Sequence, residues 1–361
     1  MKTKIICSVF FITLFLFGCE KEHVNQSIEQ EIERVAQKYI IYGRTPGIII
    51  GTIKNGETKI YSNGVANLET GALIDELTIF EIGSITKTFT GLLCAQFALE
   101  GKFTLQDTVN NYFQQGFQLP SKNNIPIRWV HLLNHTSGLE NQSDDLDSNE
   151  PFDFSESQMS AYLSRTGLLS VPGEKHLYSN TGMGLAGFAL TKIADSTYSS
   201  LLESRVFTKL NMKYSFCNNE EKPVNNTAQG YYGNDLVDYF KMTEVFAGAG
   251  VIKSNMHDML IYLTNCVNPE TSVLEDALDM TLTPTFQIEE KRSIGLGWFV
   301  VSNDNNQLVA AHNGGTKGFA SFIGFNMNKK TGVVVLTNSF CLGGEQSLVG
   351  VEIMELLDDE N

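Results

Sequence analysis

The most informative stretch of the chain is Phe80-Glu81-Ile82-Gly83-Ser84-Ile85-Thr86-Lys87-Thr88-Phe89-Thr90. Its pattern predicts the start of a helix, with Lys87 three residues after Ser84. Residues i and i+3 of a helix share one face about 5–6 Å apart, so the lysine amine can handle the proton of the serine hydroxyl. The free N–H groups of the helix N-terminus favour an oxyanion nearby. The stretch therefore predicts Ser84 as a nucleophile in covalent acyl transfer.

A Ser-x-x-Lys pattern is weak evidence by itself, because about one or two are expected by chance in a chain this long. The alternative is that Ser84 caps the helix and Lys87 lies on its surface. However, no other serine of this chain has a lysine three residues later, and two further motifs follow downstream. These facts favour the interpretation of Ser84 as a nucleophile over that of a helix cap.

Length and charge narrow the class of protein. The chain has 361 residues, 42% of them hydrophobic and 19% charged, which is typical of a globular protein large enough for two lobes. Its net charge of −15 argues against nucleic acid and against electrostatic attraction to anionic lipid.

The N-terminus is predicted to be an export signal. Lys2 and Lys4 precede an apolar stretch at residues 5–17, which is too short to span a bilayer. We interpret residues 1–18 as a signal peptide and residues 19–26 as a polar tether.

The stretch Leu16-Phe17-Gly18-Cys19 resembles the lipobox of bacterial lipoproteins, in which the cysteine becomes acylated. The resemblance implies that Cys19 is lipidated and that a lipid anchors the protein in the cell envelope, on its periplasmic or surface side. The alternative is an ordinary secretory signal in which Cys19 has no role.

Strand patterns lie at both ends of the chain, and helical patterns fill its middle. Helices are predicted at 27–43, 84–100, 156–168, 181–195, 197–210, 255–266 and 345–358. Strands are predicted at 47–53, 58–61, 295–301, 308–311, 319–327 and 332–338. The simplest arrangement is an α+β fold in which residues 27–100 and 245–361 form a lobe with one antiparallel sheet, and residues 101–244 form an inserted all-helical lobe. A ligand site is expected between the two lobes.

The second motif is Tyr178-Ser179-Asn180-Thr181-Gly182, which follows a loop and precedes a predicted helix. The phenol of Tyr178 can carry a proton if a nearby lysine lowers its pKa, and the Asn180 amide can orient a substrate carbonyl or hold the lysine. The alternative is that Tyr178 packs in the core and Asn180 caps the helix.

The third motif is His312-Asn313-Gly314-Gly315-Thr316-Lys317-Gly318-Phe319, predicted to end one strand and precede another. A glycine-rich strand edge lets a ligand backbone approach closely and frees an N–H group for an oxyanion hole. The alternative is a plain hairpin turn.

Together the three motifs resemble the class C β-lactamase and penicillin-binding-protein family of serine hydrolases, in its His-x-Gly variant. Further segments of the chain look like the same family, at residues 82–90, 132–139, 172–173, 247–254, 295–298 and 332–339. The resemblance implies a β-lactamase/transpeptidase-like fold, with an antiparallel sheet flanked by helices and an inserted all-helical lobe.

The resemblance also implies roles for the motif residues. Ser84 forms the acyl-enzyme, while Lys87 and Tyr178 share the duty of general base, with no choice between them. The N–H groups of Ser84 and Gly315 form the oxyanion hole. The substrate-binding residues are Asn180, His312, Asn313, Gly314 and Gly315. His312 takes the place of the family's lysine near a substrate carboxylate and, with an ordinary pKa of about 6.5, is partly charged at pH 7.

The implied activity is hydrolysis of an amide or ester bond without a cofactor or metal. The expected substrates are β-lactams or D-amino-acid peptides, including peptidoglycan-derived ones. The alternatives are a short-chain acyl esterase and a penicillin-binding sensor that does not turn over. The fold serves all three, so the sequence leaves the choice open.

A literal Lys-Thr-Gly occurs at Lys330-Thr331-Gly332. It lies in a predicted turn between two strands, near the far edge of the sheet, whereas His312 is followed by the glycine-rich segment and a strand. The context favours His312.

His131 and His135 are four residues apart, as in a zinc-binding helix. The glutamate of His-Glu-x-x-His is missing because Leu132 stands in its place. We interpret both histidines as structural.

Overall fold

The computed structural model describes residues 27–113, 116–142, 152, 154–217, 226–302, 307–340 and 344–359. The predicted signal peptide, the tether and Cys19 lie outside the described residues. Among the residues that are described, no helix is both long and apolar enough to span a membrane.

Eleven helices are seen in the described part of the chain. They are α1 (Ile28–Ile41), α2 (Thr86–Leu99), α3 (Trp129–Leu133), α4 (Glu156–Arg165), α5 (Asn180–Ala194), α6 (Tyr198–Leu202), α7 (Thr208–Leu210), α8 (Ala247–Gly250), α9 (Met256–Val267), α10 (Glu275–Leu282) and α11 (Glu345–Asp359). A π-helical turn, Glu203–Phe207, joins α6 to α7.

The same residues contain fourteen strands. They are β1 (Gly47–Lys54), β2 (Glu57–Gly64), β3 (Phe80–Glu81), β4 (Ser121–Lys122), β5 (Ile125–Pro126), β6 (Gly230–Tyr232), β7 (Asp235–Val237), β8 (Lys253–Ser254), β9 (Phe286–Glu289), β10 (Arg292–Ile294), β11 (Phe299–Ser302), β12 (Leu308–Gly315), β13 (Ala320–Asn326) and β14 (Thr331–Thr337).

The predicted antiparallel sheet from both ends of the chain is confirmed. Its eight strands run in the order β2-β1-β14-β13-β12-β11-β10-β9, and each pairs antiparallel with its neighbours. The β1–β2 hairpin turns at Asn55-Gly56, where both residues have positive φ, as a tight two-residue hairpin requires.

Helices cover both faces of the sheet. Strands β1, β13 and β14 are therefore buried along their whole length or nearly so. One face packs against α1 and α11 through an apolar cluster that contains Ile48, Phe322, Val335 and Ile353. The other face packs against the main core, to which Ile49 and α2 belong. Helix α2 is buried at nearly every position, so the nucleophile predicted at its start is held in the centre of the molecule.

The expectation of an all-helical insertion is wrong in one respect. Residues 101–244 carry α3 to α7, and they also carry two short hairpins, β4–β5 and β6–β7. The first turns at Asn123-Asn124, where both residues have positive φ. Strands of two or three residues are too short to show an alternating pattern, so the sequence gives no strand signal there.

The C-terminal strands also differ from the prediction. The strand expected at 295–301 begins only at Phe299, because Gly297 has φ +84° and packs against the α2 backbone at the Lys87 carbonyl. Strands β9 and β10 were not predicted. Strand β12 is longer than expected, so His312 to Gly315 lie inside the strand rather than after its end.

Candidate active site

Ser84 lies in a single 3₁₀ turn, Gly83–Ile85, that leads directly into α2. Gly83 has φ +50°, and a Cβ at this position would lie 2.6 Å from the Gly315 nitrogen, so only glycine fits between the turn and β12. Lys87 is in the first turn of α2, and its Nζ lies 2.8 Å from Ser84 Oγ. The structure therefore brings together the two groups that the sequence paired.

The Lys87 side chain is completely buried. Its Nζ donates a hydrogen bond to the Ala249 carbonyl at 2.6 Å. Burial lowers the pKa of Lys87 well below its usual value, because the charged ammonium loses its hydration. A neutral amine with one hydrogen committed to Ala249 can direct its lone pair to the Ser84 hydroxyl, which is the arrangement a general base requires.

Tyr178 lies on the other side of the lysine. Lys87 Nζ is 5.0 Å from the centroid of the Tyr178 ring, and the ring is partly exposed. The tyrosine immediately precedes Ser179, whose side chain caps α5 by accepting the Gly182 N–H at 2.9 Å. The Tyr178 ring thus lies beside the same amine that contacts Ser84.

Asn180 is the first residue of α5 and not its cap, so the alternative that Asn180 caps the helix is wrong. Its backbone N–H donates to Asn141 Oδ1 at 3.1 Å. The Asn180 side chain is partly exposed and follows Tyr178 by two residues, at the same end of the helix.

The strand motif lies against the Ser84 turn. A Cβ on Gly314 would lie 2.1 Å from the Ile82 carbonyl oxygen and 3.0 Å from the Ser84 nitrogen. Ser321 on β13 donates to the same Ile82 carbonyl at 2.8 Å and so fastens the turn to the sheet. The glycines therefore allow the strand backbone to approach the nucleophile, whereas the close approach of a ligand backbone that the sequence predicts stays a prediction.

His312 shares the site-facing side of β12 with Gly314, since alternate residues of a strand point the same way. It is buried, and its Nδ1 lies 2.6 Å from the Asn313 carbonyl oxygen. Because a carbonyl can only accept, Nδ1 carries the proton and Nε2 is left as a bare acceptor.

Burial and then the nearby Lys87 lower the pKa of His312 to about 3. The expectation of a partly charged His312 at pH 7 is therefore wrong, because the surroundings of the imidazole disfavour its cation.

Asn313 and Gly315 occupy the opposite side of the strand. Asn313 is paired with Phe322, which belongs to the cluster under α11. Cross-strand partners lie on the same face of a sheet, so the Asn313 side chain is directed away from Ser84, against the expectation that it binds substrate. For Gly315 only the backbone matters, and its amide lies beside Gly83.

The second Lys-Thr-Gly lies far from this point. Thr331 pairs with Asn326 at one end of β13, whereas Gly315 pairs with Ala320 at the other, about 20 Å away for six residues of strand. Strands β13 and β14 are central in the sheet, so the motif is at the far end of the strands and not at an edge of the sheet.

The two histidines of the zinc-like spacing both accept backbone hydrogen bonds through Nδ1. His131 accepts from the Arg128 N–H at 3.2 Å, and His135 accepts from the Ser179 N–H at 3.2 Å. Within the residues described, no cluster of three or more histidine, cysteine, aspartate or glutamate side chains has metal-binding geometry.

Sequence reasoning missed a buried ion pair under the nucleophile. Lys253 Nζ lies 3.7 Å from the Glu81 carboxylate, and the two side chains are only 5% and 4% exposed. The Phe240 N–H donates to the same carboxylate at 2.8 Å. Burial raises the pKa of Glu81. Glu81 stands three residues before Ser84, yet a single acid in an apolar run gives no signal of its partner.

The fold and this arrangement of Ser84, Lys87 and Tyr178 define a serine hydrolase that works through an acyl-enzyme. A model of the beta-lactamase family matches residues 30–347, and the chain belongs to that family. A beta-lactamase of Pseudomonas fluorescens is 25% identical over 93% of this chain and 99% of its own length. A beta-lactamase of Escherichia coli K12 is 24% identical over 90% of this chain and 92% of its own length.

Solved structures show the same fold. A class C beta-lactamase aligns with a TM-score of 0.81 and 23% identity over 94% of this chain and 99% of its own. A mutant of a class C beta-lactamase aligns with a TM-score of 0.80. The family, the fold class and the serine-hydrolase class predicted from the sequence are confirmed.

Proposed function

We propose that the protein hydrolyses β-lactams through an acyl-enzyme on Ser84. The observation that carries the proposal is the 2.8 Å contact between Ser84 Oγ and the buried Nζ of Lys87. Membership of the beta-lactamase family and the names of its curated relatives support the choice of substrate.

The first step is attack on the lactam carbonyl. Lys87, whose neutral form is favoured because burial lowers its pKa, takes the proton from Ser84 Oγ as the new C–O bond forms. The backbone N–H groups of Ser84 and Gly315 flank the same point and stabilise the oxyanion, each contributing about 10²–10³ in rate.

The second step is collapse of the tetrahedral intermediate. The C–N bond breaks, and the leaving nitrogen takes a proton from the Lys87–Tyr178 pair, in which Nζ lies 5.0 Å from the centroid of the tyrosine ring. Water then attacks the ester and gives a proton to the same pair, the C–O bond to Ser84 breaks, and the pair returns the proton to Ser84 Oγ. In this proposal either Lys87 or Tyr178 carries the proton in each transfer.

Hydrolysis of an uncharged ester is a second candidate, and the state of His312 favours it. A substrate carboxylate near this strand gains from a cation, but the pKa of His312 is about 3, so the imidazole is neutral at pH 7. An ester without a carboxylate loses no binding energy when His312 is neutral. Esters are therefore expected to be substrates of the same site.

A substrate panel tests the proposal. Purified wild-type protein is compared with Ser84→Ala, and with Ser164→Ala as a control at an exposed serine on α4. The substrates are nitrocefin, a D-Ala-D-Ala peptide and p-nitrophenyl acetate. We expect nitrocefin turnover that disappears in Ser84→Ala and persists in Ser164→Ala. Turnover of the ester alone supports the second candidate.

Mass spectrometry separates a hydrolase from a sensor. A penicillin adduct that stays on Ser84 without release contradicts turnover and identifies a penicillin-binding sensor. Nitrocefin turnover that survives in Ser84→Ala contradicts the proposed nucleophile.

We also propose that the protein is exported and anchored by a lipid on Cys19. The support is the sequence Leu16-Phe17-Gly18-Cys19 behind a short basic and apolar leader. In a bacterial host fed labelled palmitate, we expect label on the wild type and on the control Cys94→Ala, and none on Cys19→Ala. An unlabelled wild type contradicts the anchor.

A further inference from the structure

His135 has an unusual backbone conformation and no exposed surface. Its φ is +58°, in the left-handed region that non-glycine residues rarely adopt, and its side chain is 0% exposed. The residue stands in the turn after α3, close to the start of α5. Such a conformation persists only where the surroundings hold it, so its contacts indicate what it does.

Those contacts surround Tyr178. The His135 carbonyl accepts the Leu177 N–H at 2.7 Å, and His135 Nδ1 accepts the Ser179 N–H at 3.2 Å. Leu177 and Ser179 are the two neighbours of Tyr178 in the chain. The imidazole also packs on the phenol ring, with centroids 4.3 Å apart and the planes tilted by 38°. His135 thus holds the peptide groups on both sides of Tyr178 and also packs on the face of its ring.

The protonation state of His135 agrees with this arrangement. A backbone N–H can only donate, so Nδ1 must be the unprotonated nitrogen. Burial lowers the pKa of His135 well below its usual value, and the nearby Lys87, His176 and His312 lower it further. The acceptor at Nδ1 is therefore present throughout the neutral pH range.

We propose that His135 is a positioning residue for the reaction, which fixes the phenol of Tyr178 beside Lys87 by binding the peptide groups on both sides of the tyrosine. It acts through Tyr178 and does not touch the substrate, because it is fully buried. The inference rests on the proposed function, in which Tyr178 moves a proton.

His131 supplies a matched control in the same segment. Its Nδ1 also accepts a backbone N–H, from Arg128 at 3.2 Å, and its carbonyl accepts the Thr136 N–H at 2.9 Å. It is nearly as buried as His135, at 9% exposure. None of these hydrogen bonds involves a neighbour of Tyr178, so His131 tests the loss of a histidine acceptor in this segment, while the added strain of phenylalanine at the positive φ of position 135 is followed by the unfolding midpoint.

The test compares four variants with the wild type. His135→Phe keeps a ring but removes the acceptor for the Ser179 N–H. His135→Asn keeps an acceptor, since its Oδ1 lies where Nδ1 was, and asparagine adopts positive φ readily. His131→Phe and His131→Asn are the controls. The midpoint of thermal unfolding is measured for each, and kinetics are run well below it.

We expect His135→Phe to lower kcat by about 10- to 100-fold with KM within about 3-fold, because the proton carrier is misplaced while the substrate site is intact. His135→Asn restores kcat to within about 5-fold of the wild type, and both His131 variants leave it within about 2-fold. Wild-type kcat in His135→Phe overturns the inference. So does an equal loss of kcat in His135→Phe and His131→Phe, or a His135→Asn variant as slow as His135→Phe.

A second measurement needs no turnover. In protein labelled with ¹³C at tyrosine Cζ, the Tyr178 signal is assigned with Tyr178→Phe and followed against pH. The titratable groups beside the phenol are Lys87 and His135, with His176 next to His135. We expect the midpoint to move in His135→Phe and to stay within about 0.3 pH units in His135→Asn and His131→Phe. An unchanged midpoint in all variants overturns the inference, whereas failure of the proposed function appears separately as a wild type without turnover dependent on Ser84.

Discussion

The motifs at 312–315 and 330–332 lie at opposite ends of the central part of the sheet, on β12 and at the start of β14. They differ in the residues that surround them. At one end, His312 to Gly315 lie against the turn of Ser84, and a Cβ on Gly314 would contact the Ile82 carbonyl at 2.1 Å. At the other end, Lys330 Nζ donates to the Val267 carbonyl at 2.9 Å and lies 3.1 Å from the Glu270 carboxylate. The first end has a nucleophile beside it, and the second has a carbonyl and an exposed acid.

The difference shows that a motif acquires a role from its place in the sheet. Lys-Thr-Gly at 330–332 matches the family pattern letter by letter, yet it closes a turn, with Lys330 at φ +57° and Thr331 bonded to Asp358. The histidine motif matches less closely but lies where the sheet meets α2. The register of β13, which pairs 320 with 315 and 326 with 331, separates the two ends.

The largest expected effect is the difference in kcat/KM between variants of Lys87 and Lys330. Lys87→Met removes the buried amine beside Ser84, so we expect kcat/KM to fall by about 10²–10⁴-fold, the usual contribution of a general base. Lys330→Met removes an amine at the far end, and we expect kcat/KM within about 2-fold of the wild type. Steady-state kinetics with a turned-over substrate measure both. Equal losses in the two variants contradict the separation of the two ends.

The fall of the rate at low pH tests whether Lys87 acts as a neutral base. The amine is a base only when neutral, so the rate falls as pH drops through the pKa of the lysine–tyrosine pair. Because burial lowers the pKa of Lys87, this fall lies well below the ordinary lysine range. A rate that rises until the pH reaches the usual lysine value contradicts a neutral Lys87.

The next effect compares two glycines. A Cβ on Gly314 meets backbone atoms at 2.1 Å and 3.0 Å, which cannot move without displacing the Ser84 turn. A Cβ on Gly332 would lie 2.9 Å from the end of the flexible Leu263 side chain, 3.0 Å from the Phe325 Cβ and 3.2 Å from the Gly324 carbonyl oxygen, all of them far from the Ser84 turn. We expect Gly314→Ala to lower kcat by about 10²-fold or more, since small displacements near the nucleophile are costly. Gly332→Ala keeps kcat and loses about 1–2 kcal/mol of stability. Kinetics and denaturant unfolding of both variants check this.

A smaller effect is the pH dependence of stability. The unfolded chain binds a proton at Lys87 up to about pH 10.5, whereas burial lowers the pKa of this amine in the folded protein, so unfolding takes up a proton between the two pKa values. Relative to Lys87→Met, the free energy of unfolding of the wild type should therefore rise with pH up to about pH 10.5, by at most about 1.4 kcal/mol per pH unit. Urea titrations at three pH values measure the difference, and parallel curves contradict the lowered pKa.

Much of the fold could be predicted because its signals are local. The Asn55-Gly56 hairpin and the long apolar strands β13 and β14 follow from turn chemistry and residue pattern. Strand β9 was missed although Phe286-Gln287-Ile288-Glu289 alternates between apolar and polar residues, the pattern of a half-buried strand, and β10 has only three residues in which to show a pattern. The irregular run before Phe299 depends on contact with α2, which no local pattern reveals.

The site was predictable where a motif fixes the geometry. Ser84 and Lys87 are one helical turn apart, so the sequence alone places them in contact. The charge of His312 was not predictable, because its pKa depends on burial and on the nearby Lys87, which is more than two hundred residues away in the chain. The same holds for the direction of the Asn313 side chain, which depends on the register of β12. His135 could be noticed in the sequence, but its contacts with the neighbours of Tyr178 join residues more than forty positions apart.

The smallest expected effect is the change in stability when Lys330 of the second Lys-Thr-Gly is replaced. Lys330 and Glu270 are 40% and 56% exposed in their side chains, and such ion pairs contribute about 0–1 kcal/mol. We expect Lys330→Met to lower the unfolding free energy by no more than about 1 kcal/mol, with the lost bond to the Val267 carbonyl partly replaced by water. Glu270→Gln is the partner variant, and the double variant should cost no more than the two singles together. Lys330 lies in a turn far from Ser84. A loss of several kcal/mol, or a fall of kcat by more than about 2-fold, therefore contradicts the view that position rather than motif assigns the role.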